Sequence, residues 1–153
     1  MIMYMKQREM NNVFEFLKKV QISKVKDRDV KKTLVSAYMS IYKKMEEFDK
    51  DIQELRKKYF EGKEDAVRKY DSIVQQVQNE QDLKKQKSLA ESINPETQEL
   101  VKEYLEMLNT YLDRDVDVSF ETVDKDKFIE ALIDLDVEFA CDDLIILKAL
   151  YHE

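Results

Sequence analysis

One glycine, one proline, one cysteine, one histidine and no tryptophan occur in 153 residues. Each scarcity closes a class of protein. Sandwiches and barrels need many turn glycines and prolines, so a mainly β architecture is excluded. A single cysteine, Cys141, forbids an intramolecular disulfide, and no zinc-ligand spacing is present. One glycine, Gly62, leaves no phosphate-cradling loop and no dinucleotide fingerprint. No apolar run approaches the roughly 18 residues that a spanning helix needs. Residues 1–10 carry Lys6, Arg8 and Glu9 and lack the apolar stretch of a secretory signal. The expectation is a cytoplasmic protein with no membrane attachment and no cofactor.

What is present is charge and helix formers. Hydrophobic residues make up 43% and charged residues 39%. That is too charged for a membrane protein and too apolar for a disordered chain. The length points to a single helical domain, 1–153. Charge is unevenly placed: residues 1–60 hold 15 basic and 9 acidic side chains, and residues 113–153 hold 4 and 13. The simplest reading is a basic N-terminal part folded against an acidic C-terminal part. The sharper one is a pole that meets a charged partner.

The chain reads mainly as α-helix. Asn11 to Val20 predicts a short helix. Val20 to Val25 is ambiguous and could be extended. Asp27 is a natural N-cap for a long helix from about Arg28 to Phe60. Its apolar positions are Val30, Leu34, Ala37, Ile41, Met45, Phe48, Ile52, Leu55 and Tyr59. That is a heptad seam with one stutter. Gly62 reads as the helix stop. Val67, Tyr70, Val74 and Val77 form a second seam. Folding the second helix back predicts a long antiparallel hairpin over 28–92, a coiled-coil-like arm, with Tyr59 near Val67 and Phe48 near Val77. Gln78 to Ser88 is polar, either solvated helix or a break. Asn94-Pro95-Glu96 opens a helix to about Leu112, the first of the acidic C-terminal helices over 95–153. Val116, Val118 and Phe120 alternate with polar residues, which predicts a strand. Its expected partner is Val20 to Val25, giving one small two-stranded β ribbon. Asp124 and Asp142 are the expected caps of two last helices.

Catalysis finds little support. The sole histidine, His152, is penultimate, where chain ends fray, and acid–base chemistry or a triad needs a positioned imidazole. Cys141 sits beside Asp142 and Asp143, which disfavour a thiolate, so it reads as a small core residue. Asp113, Asp115, Asp117 and Asp124 have the spacing of an EF-hand loop. Yet Val118 stands where the loop needs glycine, so a solvated acidic loop leading into a strand is the preferred reading, and no metal residue is assigned. Lys18, Lys19, Lys24, Lys26, Arg28, Lys31 and Lys32 form a basic cluster that could meet phosphates. No aromatic interleaves with them as a stacking platform requires.

Two stretches resemble small helical accessory proteins of tailed bacteriophages. One is Lys31 to Tyr59, with Leu34, Tyr38, Ile41 and the run Lys50-Asp51-Ile52-Gln53-Glu54-Leu55-Arg56-Lys57-Lys58-Tyr59. The other is Phe128 to Leu150, with Leu132, Asp134, Leu135, Asp136, Glu138, Asp143 and Leu144. The resemblance implies a role in particle assembly or in handling a host protein. It implies no catalytic residues.

The resulting expectation is a non-enzymatic protein-interaction module with a protein partner or self-association, and no small-molecule substrate. The candidate interface is the wide apolar arc Leu34, Val35, Tyr38, Met39, Ile41 and Tyr42, for which Gln78 to Ser88 offers only Leu83 as cover. Tyr38 and Tyr42 read first as core. The alternatives are an inhibitor that mimics DNA with its acidic C-terminal third, and a nucleic-acid binder using the Lys18–Lys32 cluster.

Overall fold

The computed structural model describes residues 2–135 and 141–153. In chain order the elements are strand β1 (Ile2–Lys6), helices α1 (Gln7–Lys19), α2 (Arg28–Phe60), α3 (Glu64–Asn79), α4 (Leu83–Glu91) and α5 (Pro95–Leu112), strands β2 (Asp115–Ser119) and β3 (Val123–Asp124), helices α6 (Lys125–Asp134) and α7 (Cys141–Ile146), and strand β4 (Tyr151–His152). Short 3-10 turns occupy Ile22–Lys24 and Leu147–Leu150. The protein is thus mainly α with a small antiparallel ribbon. The chain divides into two compact units: Met1–Asp49 with Leu112–Glu153, and Lys50–Tyr111.

Helix boundaries follow the capping chemistry. The Asp27 carboxylate accepts the backbone N–H groups of Asp29 (2.9 Å) and Val30 (3.1 Å), which no helical carbonyl can reach. Asn94 does the same for Glu96 and Thr97, and Asp124 for Asp126 and Lys127. Gly62 sits at φ +77°, the left-handed conformation that ends α2 at low steric cost. Two expected starts move. α1 begins at Gln7 rather than Asn11, because the Lys6 N–H finds the Glu9 carboxylate at 3.1 Å. Asp142 lies within the first described turn of α7 and does not cap it.

In the first unit, β1 and β2 pair antiparallel, Ile2 opposite Ser119 through Lys6 opposite Asp115. This corrects the expected pairing of 116–120 with Val20 to Val25. Residues 22–24 close into a 3-10 turn, and Val20 and Val25 bury their side chains in the core instead. The register places Met3 beside Val118 and Met5 beside Val116 on the inner face. A slip of one residue would turn both sets outward. Met10, Val13 and Leu17 of α1, Val30, Leu34, Ala37 and Ile41 of α2, Phe128 and Leu132 of α6, and Leu147 and Leu150 complete this core. β3 and β4 form a second, parallel pairing that no sequence signal announced. It brings the Tyr151 ring to 5.4 Å from that of Phe128.

The second unit is built on helices alone. Leu55 on α2 is buried, as are Thr97, Val101 and Tyr104 on one face of α5. Tyr59 and Phe60 set their rings against Tyr104, and the Arg56 guanidinium donates to its hydroxyl at 3.3 Å. The α2 seam therefore takes its aromatic partners from α5. On α3, Val67, Tyr70, Val74 and Val77 are half-buried, and α4 is the helix it packs against most closely. The polar stretch between them resolves into a break at 80–82 and a new helix capped by Asp82. The Gln86 amide donates to the carbonyls of Val77 (3.1 Å) and Glu80 (2.6 Å), two acceptors at the end of α3.

Candidate protein-interaction surface

The apolar arc divides when α2 packs. Leu34 and Ile41 have no exposed surface and belong to the core. They leave the candidate interface because that side of the helix faces α1, α6 and the ribbon. Val35 (39% exposed), Met39 (68%) and Tyr42 (46%) lie on the outer side. They step by four and three residues, so they form one stripe along the helix. Tyr38 is half-buried at its edge, stacked on Phe14 with ring centroids 5.5 Å apart. Tyr42 completes this aromatic group, 6.0 Å from Tyr38, and the Lys18 ammonium sits over the Phe14 ring at 5.1 Å.

The same stripe carries charge at both ends. Arg28 and Lys31 precede Val35 by seven and four residues, and Glu46 and Asp49 follow Tyr42 by four and seven. All four are exposed. The negative charge of the Glu46 carboxylate, one turn along the helix, raises the Tyr42 phenol pKa above its ordinary value.

The two candidate charge clusters fare differently. Carboxylates of the acidic C-terminal third meet N-terminal cations: Asp113 with Arg8 (3.3 Å), Asp115 with Lys6 (2.7 Å), Asp117 with Lys44 (3.3 Å) and Glu121 with Lys32 (3.7 Å). Asp29 in turn holds Lys127 at 3.2 Å and raises its pKa by hydrogen bond and by charge. In the basic cluster, Lys18 pairs with Glu15. Lys19, Lys24, Lys26, Arg28 and Lys31 form no ion pair among the described residues.

The would-be metal loop is a strand over Asp115–Ser119, with Val118 pointing into the core at 2% exposure. Its backbone has no positive φ, so the tight turn of a calcium loop does not form there. Asp124 spends its carboxylate on the α6 cap.

His152 has a defined place in the fold, where a chain end without structure is expected. β4 holds it beside β3, where its Nδ1 lies 2.8 Å from the Thr122 hydroxyl. The pair opens on a polar cleft of about 300 Å³ that also includes Asp29, Lys32, Thr33 and Lys127. The imidazole is exposed, and among the described residues no carboxylate bonds its other nitrogen. Sequence reading missed this pair because Thr122 and His152 are 30 residues apart and only the parallel bridge joins them. It also missed Ile133, 68% exposed on α6. Of the phage-like residues, Asp136 and Glu138 lie outside the described residues, as does the Cys141 side chain.

Comparison with known proteins adds no relative: no family model matches the chain, and no curated protein and no solved structure does either.

Proposed function

We propose that this is a non-enzymatic protein-interaction module that works through the outer stripe of α2. The phage accessory or assembly role comes from the resemblance of residues 31–59 and 128–150 and extends this reading. One observation carries it: Val35, Met39 and Tyr42 are exposed in a row, on a different side of the helix from Leu34, Ala37 and Ile41, which are wholly buried. The helix has more apolar residues than its core uses. An exposed apolar row rimmed by charge marks a contact surface.

Three observations weigh against the alternatives. DNA mimicry needs a continuous acidic ridge, and over residues 113–121 Asp113, Asp115, Asp117 and Glu121 are each met by a cation, which interrupts such a ridge there. A nucleic-acid interface would use Arg28 and Lys31, yet phosphates would leave Val35 and Met39 uncovered. Among the described residues, no carboxylate orients the exposed His152 of the Thr122–His152 pair as the base of a catalytic triad is oriented.

The test is a photo-crosslinking residue at position 39, introduced in the native host. A discrete adduct with a protein, abolished by Val35→Asp, is the expected outcome. No protein adduct, or crosslinking mainly to nucleic acid, defeats the reading.

A further inference from the structure

The α2 stripe has a property that a general docking surface need not have: it is complementary to itself. From the N-terminal end it reads Arg28, Lys31, Val35, Met39, Tyr42, Glu46, Asp49, in steps of three and four residues. At 100° per residue these positions stay within one narrow face of the helix. Cations stand at one end, carboxylates at the other and apolar groups between them. All seven are exposed and all lie in the first unit. Arg28, Lys31 and Asp49 form no ion pair among the described residues.

We propose that a second copy of this chain covers the stripe, with the two α2 helices packed antiparallel about a two-fold axis near Met39. This rests on the reading of the stripe as a protein-binding surface and names its occupant. The register follows from the sequence. With the axis passing between positions 38 and 39, the two Met39 side chains flank it, Val35 of each copy meets Tyr42 of the other, Lys31 meets Glu46, and Arg28 meets Asp49. Every residue of the stripe finds a partner of fitting chemistry, and each pair occurs twice, as an isologous contact requires. A parallel pairing would set Arg28 and Lys31 against themselves, and Glu46 and Asp49 likewise, which like charges disfavour. The steps of three and four are those of helices packed side by side along a seam. Tyr42 and Glu46 are four residues apart, so the aromatic ring and the carboxylate lie on the same side of the helix.

The experiment is a charge swap read by light scattering and sedimentation at micromolar concentration. The wild-type chain is expected to be a dimer. Lys31→Glu sets acid against Glu46 of the partner, and Glu46→Lys sets ammonium against Lys31. Each variant alone should dimerise roughly tenfold or more weakly. Mixed in equal amounts, the two variants restore both pairs and should form a heterodimer, and the double variant should again form a homodimer. All the altered side chains are exposed, so circular dichroism should show unchanged helix content. A monomeric wild type overturns the dimer while leaving the stripe free to hold a different protein, which the crosslink at position 39 then reveals. Single variants that remain dimeric, or a mixture that stays monomeric, overturn the antiparallel register. A monomeric wild type that binds a DNA duplex, with binding lost in Lys31→Glu, overturns both readings.

Discussion

Adjacent residues of α2 meet opposite fates. Leu34 is wholly buried while Val35 is over a third exposed, and Ile41 is buried while Tyr42 is nearly half exposed. Substitution should expose the difference. Leu34→Ala removes buried methyl groups and leaves a cavity, so it should cost about 2–5 kcal/mol in denaturant unfolding. Met39→Ala, measured at concentrations where the chain is monomeric, should stay within about 0.5 kcal/mol. Equal losses at both positions would mean that α2 is rotated from the orientation described. A second residue-level test uses the phenol of Tyr42. The negative charge of Glu46 beside it disfavours the phenolate. The folded pKa therefore stands above the ordinary value of 10.0. Any stability from this contact is fully present below that ordinary value and is lost as pH rises through the folded one. In an NMR titration of labelled tyrosine, Tyr42 should titrate late, and Glu46→Gln should bring it back toward the ordinary range. An unmoved titration in that variant would separate the two side chains.

At the scale of elements, the helices were largely written in the capping residues. Asp27, Asn94 and Asp124 each stand before a run of apolar periodicity, and each accepts the N–H groups of the first turn. Gly62 ends α2 for an equally local reason. The ribbon was half legible. Val116 and Val118 alternate with aspartates, so β2 shows a period of two. β1 hides it, because Ile2 and Tyr4 on the outer face are as apolar as Met3 and Met5 on the inner. The partner of the α2 seam was hidden in a similar way. Heptads on α3 and a stripe on α5 compete for it, and Tyr104 supplies the ring contacts. Leu55 is the buried point of that packing, at 3% exposure. Leu55→Asp would bury an unpaired carboxylate, and the chain should open locally rather than bear the cost. Hydrogen exchange should then show lost protection in α3 and α5, with Phe128 and Leu147 still protected in the first unit. Retained protection in α5 would place Leu55 outside the packing of the second unit.

The whole molecule carries a net charge of −7, and within the first unit the cations of residues 1–49 attract the carboxylates of residues 112–153. That attraction is realised as exposed ion pairs along the ribbon and α2, and pairs of this kind contribute little individually. Their consequence is chemical: they occupy the acids that spacing alone offers to a metal. Millimolar calcium should therefore leave the melting temperature unchanged. A saturable rise abolished by Asp113→Ala would reinstate a calcium site.

The sequence by itself determined the class of fold, the starts and stops of its long helices and the presence of a strand at 116–120. These depend on composition, capping and periodicity, which act over a few residues. Tertiary structure decided which strand pairs with β2, which acids are neutralised and which side of the α2 arc stays outside. Those outcomes turn on the rotation of one helix about its axis and on contacts between residues far apart in the chain. An arc wide enough to include both Leu34 and Met39 has no sequence signal that ranks one above the other. Packing against α1, α6 and the ribbon ranks them, because that core buries Leu34, Ala37 and Ile41 and leaves Val35, Met39 and Tyr42 to water.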